Sequence, residues 1–449
     1  MIFISLVIVA IVSYVLGYKA PAFIVFFFFL TFGFNLISEE VFKDSPISKG
    51  SDYAFIILTG IIIIDIFISK NFLKYDRFLI LLFIFGCILF TCIAWSKWVV
   101  NLTWSEVIRS SRYQFFWIAY FVFRNMEKKQ LEQLLKYLFN ITVVLSILYL
   151  LQIILNKTIL NEAYLTSAWL FGIRLPRYYN QPDLIQFFAL MAVFHNPHKG
   201  LLKIITTTVL ILALLGAFHR SISGLLPFSI LLGFILKLPH IRKIQVLSVL
   251  LTVVIGSTLF AGIRFMDSRT YKDLQFIRKG LYTEVEDIDP DDFLKSTFTF
   301  RIAIMYERNQ YLWDHPENLM LGIGLIPEDS PQVNKYDFKI GLLDEVKETT
   351  IQIDCGDISY PSMILRLGYL GTAIYLTLLI YLTVFFYKNH KNKYGLVSFV
   401  YMIFSFGVSF FSSNLLLPAT YLMPLITYCI IQKTKEENDS PNILQPSII

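Results

Sequence analysis

The chain has 449 residues, of which 56% are apolar and only 16% charged, with a formal net charge of +6. Soluble domains carry about 25% charged residues, so this composition, with a mean hydropathy of +0.61, excludes a soluble globular protein of this size. The apolar residues also come in uncharged runs, Ile2 to Gly17, Ala20 to Ile37, Phe78 to Trp95 and Val246 to Ile263, each close to the ~20 residues that cross a hydrocarbon core.

Taken in chain order, the pattern predicts spans at 1–18, 20–37, 53–69, 78–95, 105–123, 134–155, 178–194, 201–218, 222–238, 244–263, 361–387, 394–414 and 416–431. The expected fold is an all-α polytopic membrane protein with about 12–13 transmembrane helices and one long extracytoplasmic loop that itself contains helices. No basic stretch precedes the first run and no small-residue cleavage site follows it, so it is expected to remain as a helix. Lys and Arg alternate between the two sides. One set of loops, from Lys19 to Lys435, holds eighteen, and the opposite short loops hold nine. The richer set is expected to be cytoplasmic, which puts the C-terminus inside and the N-terminus outside. Four regions follow: N-terminal helices over 1–263, an outer loop domain over 264–358, C-terminal helices over 359–431 and a cytoplasmic tail over 432–449.

The long loop carries 11 basic and 19 acidic residues, a net charge of −8. Such a surface is not built to hold a polyanion everywhere, so any anion site must be local. The acidic run Glu284 to Asp292 reads as a solvated linker, because no Gly stands where a calcium loop needs one. Ile302, Met305, Tyr306 and Leu312 recur at helical spacing between Phe300 and Trp313, and His315-Pro316 ends the segment. Arg301 and Arg308, seven apart, share a face of that helix. Of the four cysteines only Cys355 falls in this loop, so no disulfide framework is expected. The 42 Phe are read as packing bulk and lipid-facing surface.

Arginine on the outer side is the informative signal. Arg174, Arg177 and Arg220 lie in short outer loops next to apolar runs, and Arg301 lies in the long loop. One reading is snorkelling to headgroup phosphates; the other is a site for a phosphorylated ligand, which the planar guanidinium fork suits. If a diphosphate leaves during group transfer, a guanidinium at about 4 Å contributes roughly 4 kcal/mol at an effective dielectric near 20. Even half of that, felt only in the transition state, exceeds roughly tenfold in rate. Asp357 stands where the long loop meets the next span; its carboxylate suits a general base or a helix N-cap, and the two roles can coexist.

Other signals carry less. Gly322-Ile-Gly324 lacks the third glycine of a nucleotide fingerprint. His195, His198 and His219 lack zinc-ligand spacing and read as surface or interfacial residues. Asp65, inside a span, is expected to pair with a polar group of another helix. Glu39, Glu40 and Asp44 offer an acidic cluster for a metal-dependent alternative.

Several of these stretches together resemble the O-antigen polymerase and ligase superfamily of membrane glycosyltransferases. Phe171 to Asp183, with Arg174, Arg177, Asn180 and Pro182, is similar to that family's outer motif of an arginine followed by an Asn-Pro turn. His219-Arg220-Ser221 is similar to its Ser-Arg pair at a span end. Phe300-Arg301 through Trp313, Pro316 and Gly322-Ile-Gly324 resemble its loop motif, and Asp357 to Tyr360 with Gly368 and Gly371 its final motif. Ligases of the family have a His where Asp357 stands and often a Glu where Arg366 stands, so the resemblance favours the polymerase branch.

The resemblance implies a C-type glycosyltransferase-like fold in a bacterial inner membrane. Its substrate would be an undecaprenyl-diphosphate-linked oligosaccharide, polymerised into O-antigen or capsule by inverting transfer. A chain-length regulator protein would be its partner, with no nucleic acid, cofactor or metal. Asp357, Arg301 and Arg220 would be catalytic, and Arg174, Arg177, Arg220 and Arg301 would hold the diphosphate. Tyr360, Arg308 and Tyr178 would be further substrate contacts. The alternatives are a ligase moving glycan to lipid A core and a flippase or transporter, the latter weighed against by charge gathered at one face and no repeated halves.

Overall fold

The computed structural model describes residues 2–43, 47, 49–68, 75–161, 165–170, 173–217, 219–238, 297–336, 338, 340–344, 349–353 and 358–439. The predicted span at 244–263, the acidic run, Cys355, Asp357 and the boundary at 263/264 lie outside the described residues.

Apolar segments fold as helices because a backbone removed from water must satisfy its N–H and C=O groups internally. The helices are α1 (Ile2–Val15), α2 (Lys19–Leu30), the one-turn pieces α3 (Phe32–Asn35) and α4 (Glu39–Lys43), α5 (Gly50–Ile68), α6 (Arg77–Trp98), α7 (Trp104–Phe115) and α8 (Ala119–Asn125). They continue as α9 (Lys128–Leu155), α10 (Ile185–Phe194), α11 (Gly200–Leu215), α12 (Arg220–Lys237), α13 (Thr297–Asp314), α14 (Ser359–Lys388), α15 (Lys393–Val408) and α16 (Pro418–Asp439). Four of them, α5, α6, α9 and α14, are long and apolar enough to cross a membrane, and α1, α2, α10, α11, α12 and α15 are shorter apolar helices.

Several predicted spans are cut short, each for a local reason. The run 20–37 stops at Leu30, because Phe32, Gly33, Phe34 and Asn35 all take positive φ and turn the chain left-handed. The stretch 105–123 is two helices joined by a 3₁₀ turn at Phe116–Ile118, and its first half is amphipathic, with Glu106, Arg109 and Arg112 on it. The span expected from 178 starts as a helix only at Ile185, because Tyr178 ends a strand and Pro182 sits in the turn between them. At the C-terminus, α16 runs on to Asp439 through part of the expected tail. Two small antiparallel hairpins, β1 (Leu165–Leu170) with β2 (Ile173–Tyr178) and β3 (Leu342–Asp344) with β4 (Thr349–Ile351), qualify the all-α expectation.

The core lies where α2, α5 and α1 pack together, and where α14, α15 and α16 meet α6, α10 and α9. Phenylalanine does both jobs expected of it. Phe23, Phe26, Phe27 and Phe29 are fully buried, whereas Phe67 is 84% exposed and Phe83 72%. Asp65 accepts a 2.8 Å hydrogen bond from the Tyr14 hydroxyl of α1, the cross-helix pairing that a buried carboxylate requires.

One clasp fixes the 297–353 segment to the helices. Inside α14, Gly368 adopts φ +65°, ψ −176° and breaks the helical ladder. The freed groups are taken up by the passing chain: Ile323 N–H donates to Leu365 O (2.7 Å), and Tyr369 and Leu370 N–H donate to Leu319 O and Met320 O (3.0 and 3.3 Å). From α6, Trp95 Nε1 donates to Gly322 O (3.2 Å), and Ser96 Oγ accepts from Leu325 N–H (2.8 Å). Gly322 and Gly324 take φ of +73° and +94°. The Gly-x-Gly, which lacks the pattern of a nucleotide fingerprint, is a docking element.

Alanine at Gly368 would set its Cβ 2.1 Å from Met320 O, and at Gly322 2.1 Å from Leu365 O. Either substitution is expected to cost a few kcal/mol, at least about 2, seen as lower thermal stability in detergent and faster protease cleavage within 297–353. Gly86→Ala, which meets nothing within 4 Å, should leave both unchanged.

Candidate active site

A polar hub sets the segment that carries Arg177. Gln152 of α9 is fully buried. Its Nε2 donates to Asn180 Oδ1 (2.9 Å), and its Oε1 accepts from Ile159 and Leu160 N–H (both 2.9 Å). Asn180 Nδ2 returns a bond to Leu160 O (2.7 Å). Every hydrogen-bonding group of the pair that is buried here has a partner, so the network rigidifies the chain leaving β2. Gln181 Nε2 then reaches Ala213 O and Leu214 O (2.7 and 2.9 Å), binding that chain to the end of α11.

Arg177 faces the junction of α11 and α12. Its Nε donates to Ala217 O (2.7 Å), a carbonyl just past the C-terminus of α11, where a cation is favoured. Its Nη2 lies 3.2 Å from His219 Nδ1. Guanidinium only donates, so Nδ1 is the acceptor and the imidazole proton sits on Nε2. The Tyr179 ring lies under the guanidinium at 4.5 Å and edge-on to His219 at 5.3 Å. Burial pushes the His219 imidazole down to about 4, and the neighbouring Arg177 and Arg301 add to that depression. Arg177 is bonded to this neutral histidine, and the charge of Arg301, far away in sequence, also acts on it. Arg301, on α13, also stacks on Phe411 at 5.2 Å. The turn holding Phe411 is bound to the start of α14, where Ser359 N–H donates to Ser409 O (3.1 Å) and Ser359 Oγ to Ser412 O (2.8 Å).

The other expected site residues divide. Tyr360 packs its ring on Phe410 at 4.8 Å, beside the Arg301 wall. Tyr178 is 1% exposed, and its carbonyl accepts from the Tyr149 hydroxyl (2.8 Å), which makes it a core residue. Arg308 does not share an accessible face with Arg301. It is 1% exposed, stacked on Phe338 at 3.9 Å, paired with Glu307 and donating to Ile340 O (2.6 Å) and Gln352 O (2.8 Å). Its charge is spent holding the 338–352 chain. Asp357 and the side chains of Arg174 and Arg220 lie outside the described residues; Arg220 opens α12 beside His219. The sequence reads His219 as a surface or interfacial residue; its place in the His-Arg-Ser triplet beside Arg220 is the signal for a further role.

One cavity adjoins this cluster through Tyr179, and a second lies next to the first. The smaller, of about 240 Å³, is lined by Tyr179, Asn35, Gln181, Asp183, Gln186 and Asn414, an amide-rich wall. The larger, of about 1140 Å³, lies between α7, the 327–334 chain, the first turns of α14 and the 413–417 turn. Tyr113 and Leu417 belong to both walls, so the cavities lie side by side. Among the described residues no group of three His, Cys, Asp or Glu is placed to hold a metal. Comparison with protein-family models and with curated proteins finds no match.

The histidine gives a pH prediction. The unfolded imidazole takes up its proton near pH ~6.5, while folded His219 stays neutral down to about 4. The unfolded state thus binds more protons in that window, and stability is expected to fall as pH drops through it. His195, held down to about 4 by burial and by Lys393 and Lys237, acts in the same direction. Thermal unfolding against pH should show this slope; His219→Gln should remove part of it and His195→Gln the rest.

Proposed function

We propose that this chain is a membrane glycosyltransferase that joins lipid-diphosphate-linked oligosaccharide units at the outer face of a bacterial inner membrane, as the resemblance to the O-antigen polymerase branch implies. The observation that carries the reading is the Arg177 contact with His219, on which the charge of Arg301 also acts. Guanidinium groups at a half-buried site favour an anion with several oxygens, and a small cavity with amide and tyrosine walls, Tyr179 among them, opens beside Arg177.

In this reading an acceptor hydroxyl attacks the anomeric carbon of a growing chain carried on undecaprenyl diphosphate. The new C–O bond forms as the anomeric C–O bond to phosphate breaks, the hydroxyl proton passes to Asp357, and lipid diphosphate departs. One displacement inverts the anomeric centre. Negative charge grows on the leaving oxygen, where Arg177, Arg301 and Arg220 would lower the barrier by stabilising it. His219, neutral and carrying its proton on Nε2, adds a donor to the same anion. About a dozen spanning helices, with 264–358 outside and the C-terminus inside, complete the arrangement.

Arg301→Ala and Arg177→Ala are each expected to lower polymer yield at least about tenfold at normal protein level, with single repeat units accumulating on undecaprenyl diphosphate. Mass analysis of the lipid-linked glycans from cells checks this. Long polymer left on the carrier would indicate a ligase instead. Purified protein that moves lipid-linked glycan between leaflets but lengthens none would indicate a flippase.

A further inference from the structure

The larger cavity holds features that the Arg177–His219–Arg301 cluster does not use. Lys49, Arg109, Arg112 and Arg366 line it against two acidic residues, Glu328 and Asp329. Glu328 is committed elsewhere: its two carboxylate oxygens accept from Gln352 and Ile353 N–H, both at 2.7 Å. Arg112 is braced by Asp52 and Ser51 (both 3.1 Å), and Arg366 is aimed by two bonds to Ile326 O (3.1 and 2.9 Å). The Arg109 pair with Asp329 (2.7 Å) is water-facing, with the aspartate side chain 63% exposed. Such pairs contribute only about 0–1 kcal/mol, so an incoming multivalent anion displaces the aspartate readily.

The cavity wall also carries four buried polar atoms with no hydrogen-bond partner among the described residues: Arg109 Nε, Ser110 Oγ, Gln114 Oε1 and Gln352 Oε1. Buried polar groups are normally paired, and four unmet atoms on residues that line one cavity point to a ligand that the wall shifts to meet. The first is a donor and the last two are acceptors. A bare anion would serve Arg109 and leave both glutamine carbonyls unmet. A phosphorylated sugar serves all four, because its phosphate oxygens accept and its hydroxyls donate.

We propose that this cavity is a second anion subsite, which takes the sugar-phosphate end of the acceptor while the Arg177–Arg301 cluster holds the diphosphate that leaves. The assignment of acceptor rests on the polymerase reading; the sugar-phosphate chemistry does not. Joining two lipid-linked units brings two diphosphates to one protein, and the acceptor keeps its own throughout. A cationic cavity beside the leaving-group cluster, but distinct from it, meets that need.

The test is calorimetric titration of the full-length protein in detergent with glucose 1-phosphate and, separately, inorganic phosphate. Wild type should bind glucose 1-phosphate more tightly than phosphate. K49Q/R109Q should weaken both by about tenfold or more, and Gln114→Leu should weaken glucose 1-phosphate alone. Asp329→Asn, at an exposed position, should tighten both severalfold, so the proposal stays testable if the double variant fails to fold. Equal affinity for the two ligands overturns the sugar-phosphate assignment. Unchanged affinity in Asp329→Asn, or in a folded K49Q/R109Q, overturns the subsite. Glycan elongation measured on the same preparations separates the two claims. Binding lost in K49Q/R109Q from a wild type that elongates nothing keeps the subsite and removes the polymerase reading. Elongation with binding indifferent to both variants keeps the reading and removes the subsite.

Discussion

The close backbone contact between Leu319–Gly324 and the break at Gly368 is the constraint on which the site depends. A helix that loses its ladder in an apolar setting must find other partners for the freed groups. Here the passing chain supplies them through Ile323 N–H, Leu319 O and Met320 O. Only glycine fits, since any Cβ at Gly322 or Gly368 would meet a carbonyl oxygen at 2.1 Å. That contact anchors the end of α13 through the Pro316–Asn318 turn, and α13 carries Arg301. The buried Arg308, three carbonyl and carboxylate partners deep, ties the same helix to the 338–352 chain. Arg301 is thus held from both its helix and its surroundings.

On the opposite wall, the Gln152–Asn180 hub does for Arg177 what the clasp does for Arg301. It fixes the chain between β2 and α10, so that Arg177 can spend one nitrogen on the end of α11 and another on His219. Among the described residues Arg177 forms no ion pair. Burial, with the charges of Arg177 and Arg301 added, keeps the imidazole neutral. The second cationic wall, at Arg109 and Arg366, lies across Tyr113 and Leu417 from the small amide-lined cavity.

Much of this was legible in the sequence, and the gaps have physical causes. Hydropathy located the apolar helices, because burial of uncharged runs is set by composition over about twenty residues. It overran at Phe32–Asn35, where a left-handed turn interrupts an apolar run without changing its hydropathy. Sidedness singled out Arg177 and Arg301, and the charge of each reaches His219, but helical spacing paired Arg301 with Arg308, which is buried in its own segment. Periodicity shows which face a residue shares and not what packs over it. His219 was missed because its partner at Arg177 is forty-two positions away. The large cavity was invisible for the same reason: its walls come from six separate parts of the chain.

The central claim is that Arg177, His219 and Arg301 form one anion site, and the imidazole itself reports on it. The direct measurement is the ¹⁵N NMR titration of His219 in histidine-labelled protein, with and without saturating inorganic diphosphate. Alone, His219 should remain neutral until the pH approaches about 4. With diphosphate bound beside it, the added negative charge should carry its protonation up toward neutral pH. A titration that diphosphate leaves unmoved would contradict the account.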